Sequence, residues 1–306
     1  VGADGRPGTS YFRSPVMWAG FALPAVVGSV RALHAYYSFV PAAELVASLP
    51  LFRGQVDLQF RLSFPMVGFT YLINLEVAFS LWFYNLMCTA AKGAMRVVGV
   101  SSTEELGPYG AAHEPILAHQ GMGALAALVL FGLWISRHHL RQVLAGTADD
   151  RGESMSYRAA LLCWAGGVVT MVTWLWVAGL PAWASLAVVV VALLVFVGLT
   201  RIVVEGGVAE ITPPLVPAQV LVSAIGTASF GPPGLVALAF TYIWAGDIRT
   251  FLMAACAHGI KLGEHLGERL RPLLWVILWA VLLGFAGSVV ATLWVSYQYG
   301  GINLNA

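Results

Sequence analysis

Charge is what this sequence has least of. Only 10% of its 306 residues are Asp, Glu, Lys or Arg, against about a quarter in an ordinary soluble domain. A water-soluble body of this size cannot cover its surface with so few charges, so the shortfall faces lipid. The net charge of +1 supplies no basic surface and excludes a general nucleic-acid binder. Cysteine is scarce as well. Cys88, Cys163 and Cys256 stand alone, with no CxxC and no CxxCH, which excludes structural zinc and c-type haem and leaves them as small buried hydrophobes. His34, His113, His119, His138 and His139 fall near the ends of apolar runs or between them. A haem-binding bundle wants them facing one another from within, and His119 reads as an interfacial residue. No cofactor is expected. Ser-x-x-Lys, HExxH, GxSxG and phosphate-cradling glycine loops are all missing, so nothing points to an enzyme. No signal-peptide pattern opens the chain at Val1, and it is expected to be the C-terminal portion of a longer protein.

What is abundant is apolar length. Apolar residues make up 59% of the chain, and a helix needs about 20 of them in a row to cross hydrocarbon. Six runs qualify: Pro15 to about Leu33, Leu62 to about Ala91, Pro115 to Ser136, Ala159 to Ala178, Ala182 to about Val204, and Leu273 to about Tyr299. Lipid permits only helix for such runs. The expectation is an all-α, polytopic membrane bundle of six long transmembrane helices plus two short or broken ones. It forms a single domain over 1–306, with a polar segment at 1–14. The polar loops are 35–61, 92–114 and 137–158, with room for an interfacial helix in the first. The broken pair comes from Leu215–Phe230 and Gly234–Gly246. Each is marginal for a crossing and is punctuated by Gly206-Gly207, Pro213-Pro214, Pro217 and Pro232-Pro233.

The basic residues orient this layout. Five crossings, an even hairpin and one more crossing put twelve Lys and Arg on one side and four (Arg6, Arg13, Lys92, Arg96) on the other. The richer side is then cytoplasmic, and both ends of the chain lie outside. Over 248–272, His258, Lys261, His265 and Glu268 share one helical face opposite Ile260, Leu262 and Leu266, the pattern of an amphipathic helix on the cytoplasmic surface.

Ionisable groups inside a span are costly, by roughly 2.5 to 3.5 kcal/mol at its centre, so they mark where to look for function. Glu76 lies within the second run, with Asn74 just before it. Buried in a bundle, its carboxyl would hold a proton readily. Arg201 and Glu205 are four apart and share a helical face; Gly206-Gly207 follows, then Glu210. Backbone unwound at membrane depth must be buried in protein or line a cavity. An acid there binds a proton, a cation or a substrate amine. The candidate site is therefore Glu76, Asn74, Arg201, Glu205 and Glu210.

The stretch RIVVEGGVAEITPP at Arg201–Pro214 resembles a recurring signature of an uncharacterised bacterial family of multi-spanning membrane proteins, a domain of unknown function. The run FPMVGFTYLINLEVAFSLWFYNL at Phe64–Leu86 and the ending SYQYGGINLN fit the same pattern. The chain departs from it at Gly206-Gly207, where the family has Glu, a small residue and one Gly. A looser likeness to oligopeptide transporters lies in the polar second run and the broken region. The resemblance implies a secondary transporter of the bacterial inner membrane, moving a small organic solute with a proton or cation gradient. The alternative is a non-catalytic transmembrane subunit of a respiratory or photosynthetic complex, with other membrane subunits as partners.

Overall fold

The computed structural model describes residues 12–41, 44–107, 109–110, 114–150, 152–208, 211–246, 252–267 and 270–301. Among the described residues the fold is all-α apart from one two-stranded hairpin. Its contacts divide it into two compact units, Val1–Ser101 and Ser102–Ala306.

The first unit opens with α1 (Pro15–Tyr36), with proline at its first turn, where a missing N–H is harmless. None of its residues is buried. In place of the interfacial helix expected within 35–61 stands a hairpin, β1 (Val46–Leu51) against β2 (Val56–Arg61), antiparallel with Val46 opposite Arg61 and Leu51 opposite Val56. The reason is in the sequence: Val56-Asp-Leu-Gln-Phe-Arg alternates apolar and polar with the period of a strand. The turn puts Phe52 and Arg53 at φ 51° and 59°, a region non-glycine residues rarely occupy. The Phe52 ring lies where a side chain at Gly93 would stand, and Arg96 Nη1 donates to Gln55 O at 2.6 Å. Both ties fasten the hairpin to the second half of α3.

The expected second span, Leu62 to Ala91, is not one helix. It is α2 (Phe64–Leu72) and α3 (Leu75–Val98), parted at Ile73-Asn74. Asn74 is the N-cap of α3, its side chain accepting the Glu76 N–H at 3.1 Å. An asparagine that satisfies a backbone donor this way competes with helix continuation. The polar connection also begins later than 92, since α3 runs on to Val98 and ends at Gly99 with φ 80°.

The second unit contains α4 (Pro115–Ile135), α5 (Arg137–Ala145), α6 (Tyr157–Val177) and α7 (Ala182–Gly206). It continues with α8 (Pro217–Ile225), α9 (Gly231–Phe240), α10 (Tyr242–Ala245), α11 (Leu252–His265) and α12 (Leu270–Tyr299). Five helices among the described residues are long and apolar enough to cross a membrane: α1, α4, α6, α7 and α12. They coincide with five of the six expected spans; α3, which carries Glu76, Lys92 and Arg96, is not among them. Part of the expected loop 137–158 is helical, as α5.

Helix α7 is the centre of this unit and packs against α4, α6, α8 and α11. Its buried positions include Ala184, Val188, Ala192, Val195, Leu199 and Val203, which recur at three and four residues, one stripe of a helix. A turn at Ala178–Pro181, with Gly179 at φ 110°, folds α7 back on α6. Leu175, Leu180, Val188, Val189 and Leu238 close one core around that turn. Ala118, Met122 and Leu125 of α4 form a second core with Val195, Leu199 and Leu215. Contact is close at Gly198, where a side chain would meet Leu125 Cδ1 at 2.6 Å.

Other faces are bare. No residue of α12 is buried, and Trp275, Trp279 and Trp294 stand outward. Cys88 and Cys163 are exposed rather than buried, because they lie on outward helical faces. In α11 the small residues Ala254 and Gly263 pack inward while Leu262, like Leu266 just past the helix, is exposed. The amphipathic segment is thus a packed helix, Leu252–His265, within the expected 248–272; Glu268 lies outside the described residues.

Candidate functional site

The last two turns of α7 hold Arg201 and Glu205 on one face. Arg201 Nε donates to Glu205 Oε1 at 2.7 Å, and Nη1 donates to the Leu128 carbonyl of α4 at 3.3 Å. The guanidinium occupies the space a side chain at Gly132 would need. The pair therefore also links two helices, with Arg201 half-buried and the Glu205 carboxylate open. Glycine at 207, φ 64°, ends the helix. Glu210 lies outside the described residues.

Beyond α7 the chain unwinds. Ile211–Val216 is not helical, yet Pro213, Leu215 and Val216 are buried. Pro214 rests on Gly121 of α4, and Leu215 enters the α4–α7 core. Prolines remove donors that an unwound segment would otherwise leave unpaired. Pro217, at the first position of α8, then restarts the helix. Helix α8 has nine residues, a length of about 13.5 Å, less than half the thickness of hydrocarbon. Gly226 at φ 84° and a turn at Thr227–Ser229 lead into α9.

A polar cluster tethers α8. Ser223 Oγ donates to Glu104 Oε1, and Glu104 Oε2 meets His119 Nε2 at 3.0 Å. Glu104 N–H in turn donates to Ser102 Oγ at 3.2 Å. One carboxylate thus joins α4, α8 and the segment between α3 and α4. The Ser223 hydroxyl first, then His119, hold the Glu104 carboxyl below its ordinary value. One turn back along α8, Gln219 is buried beside Gly107 and Gly110, and the rings of Tyr109 and Tyr242 meet at 5.6 Å.

The structure brings Asn74 to Glu76 and Arg201 to Glu205, each pair within its own unit. Glu76 is not the buried carboxyl expected inside a span. It is exposed in the first turn of α3, where a helix N-terminus favours an acid. An open groove beside it is lined by Val77, Ser80, Leu81 and Tyr84. Sequence reasoning missed Glu104, Ser223 and Gln219. The first two are 119 positions apart, and no spacing rule reaches that far. Gln219 was within reach, as an amide in the apolar stretch Leu215–Phe230. His119 serves as a partner to Glu104, a role its place near a helix start did not reveal.

No curated protein and no solved structure matches this chain. A family model does match, over residues 2–306, and the chain belongs to that family, described as Family of unknown function (DUF6785).

Proposed function

We propose that this chain is a secondary transporter, or a part of one, which moves a small organic solute through its second unit with an ion gradient as the drive. The observation that carries the reading is the unwound segment Ile211–Val216 between α7 and the half-length α8, in which Pro213, Leu215 and Val216 are buried. Membrane proteins keep such backbone where a cavity needs its polar groups, and half-helices of this kind flank the solute sites of transporters. Glu205 stands at the mouth of the break with Arg201 as its partner, placed to take a proton or cation in one state and release it in another. Glu104, bonded to both His119 and Ser223, couples the carboxylate's charge to the position of α8. Glu76 is a second acid at a helix break, in the first unit. In this reading the protein lies in a bacterial inner membrane, the α8–α10 segment forms the even hairpin, and both chain ends are non-cytoplasmic.

The test is gradient-driven uptake into vesicles. Glu205→Gln is expected to remain folded and to lose coupled uptake; coupled uptake at the wild-type rate in that variant removes Glu205 from the mechanism. A second reading, a non-catalytic subunit of a larger membrane complex, is favoured by one observation: neither α1 nor α12 has a fully buried residue within this chain. A homogeneous particle containing this protein alone, purified in mild detergent, tells against it.

A further inference from the structure

We propose that α5 lies in the surface of the bilayer and docks the headgroup of an anionic phospholipid, with Arg137 and Arg141 as its phosphate-binding groups. The proposal goes beyond the transport reading and rests only on α4 crossing the membrane.

Position comes first. α4 is long and apolar enough to cross a membrane and ends at Ile135, and α5 begins at Arg137, where such a span reaches the headgroups. The Ser136 N–H donates to Gly132 O and the Leu140 N–H to Ser136 O. The chain thus turns from one helix into the next with no loop to carry α5 away from the surface. Trp134, at the end of α4, is exposed, as an aromatic at the membrane boundary is expected to be. Within α5 the residues sort by face. Val143 is buried, and the His139 ring meets that of Tyr157 in α6 at 5.7 Å, which turns this side to the protein. Leu140 and Leu144 are both exposed, Leu144 by 73%. Arg137, Leu140, Arg141 and Leu144 recur at three and four residues and form one continuous stripe. Exposed leucines bordered by arginines suit an interfacial helix, with apolar groups toward the acyl boundary and cations at headgroup level.

Charge selects the lipid. From Pro115 to Ala148 the sequence has no Asp or Glu, and among the described residues neither Arg137 nor Arg141 meets a carboxylate. Other cations of this unit are compensated: Arg201 pairs with Glu205 and Lys261 with Glu264. The first turn of α5 carries no acid either, so the positive end of the helix adds to the arginines instead of being offset. Arg137 Nη1 donates to Trp134 O at 2.8 Å, and its guanidinium lies 4.9 Å from the centre of the Trp134 ring. That contact holds the arginine at the level of the ring, and a guanidinium has further N–H groups to offer a phosphate. A zwitterionic headgroup brings its own cation to such a patch and an anionic one does not, which favours phosphatidylglycerol over phosphatidylcholine.

The experiment uses the full chain without Cys88, Cys163 and Cys256, with Leu144→Cys carrying a bimane fluorophore. It is reconstituted in phosphatidylcholine vesicles with acyl-brominated phosphatidylglycerol or acyl-brominated phosphatidylcholine as quencher, so that quenching reports which lipid sits against α5. Phosphatidylglycerol is expected to be preferred by about fivefold per arginine. Arg137→Gln with Arg141→Gln is expected to abolish the preference while both lipids still quench. Arg31→Gln with Arg61→Gln removes the same charge from the first unit and is expected to keep it. If the α5 double variant does not fold, Arg141→Gln alone serves, with an expected loss of about fivefold. Absence of quenching by either lipid overturns the placement of α5 in the bilayer surface. Equal quenching by the two lipids with both arginines present overturns the headgroup site. So does a preference that survives the loss of both arginines, or one that falls as far in the first-unit variant.

Discussion

The chain breaks its apolar helices twice, and the two breaks are opposites. At Ile73-Asn74 the interruption is brief and open: Asn74 caps α3, Glu76 is exposed, and neither α2 nor the first turn of α3 buries a residue. After Gly207 it is longer and, over Ile211–Val216, partly enclosed, with Pro213, Leu215 and Val216 buried and Leu215 set in the core that α4 and α7 share. An asparagine cap satisfies the first within the chain's own next turn. The second takes glycine to stop a helix, prolines to delete donors, and Gly121 to admit Pro214. The difference separates a local helix restart from a segment held open by tertiary packing, and it is the second that a solute site requires.

Removing the packing should break the contrast most strongly. Leu215→Ala, at a fully buried position, is expected to cost roughly 2–5 kcal/mol of stability in detergent. Leu72→Ala, beside the open break and 78% exposed, should stay within about 0.5 kcal/mol. Similar losses at both positions, measured by denaturant unfolding, would erase the distinction. Asn74→Ala should cost about 1 kcal/mol, the value of an N-cap, and uncouple α2 from α3 without disturbing Gln219. A loss no larger than that of Leu72→Ala would show that the cap is idle.

The smallest effect is pH-dependent. The Glu104 carboxyl is held low by Ser223 and His119, so its stabilising contribution is present above the unfolded carboxylate value. It is lost as pH falls through the lower folded value. The unfolding temperature of the wild type should therefore drop more steeply than that of Glu104→Gln at the acid end of the carboxylate range. Parallel curves for the two proteins would detach Glu104 from α8.

How much of this the sequence foretold depended on the reach of each signal. Apolar runs located α1, α4, α6, α7 and α12, because crossing length is a property of a single stretch. Gly206-Gly207 and Pro213-Pro214 marked the enclosed break because glycine and proline act on their own backbone. The open break was hidden, since one asparagine hardly changes the apolar average of Leu62–Ala91. The hairpin was legible in the alternation of Val56–Arg61, but its setting in a polar connection drew attention to helix. The Glu104–His119–Ser223 cluster was not legible, because its members are far apart in the chain and only the fold brings those side chains together.

The account stands on α8 facing a watery path rather than lipid. The most direct test is Ser223→Cys in a background without Cys88, Cys163 and Cys256, reconstituted in vesicles and treated with a water-soluble thiosulfonate. The account predicts rapid modification, with loss of uptake. A thiol that does not react, or that reacts while uptake continues unchanged, contradicts it.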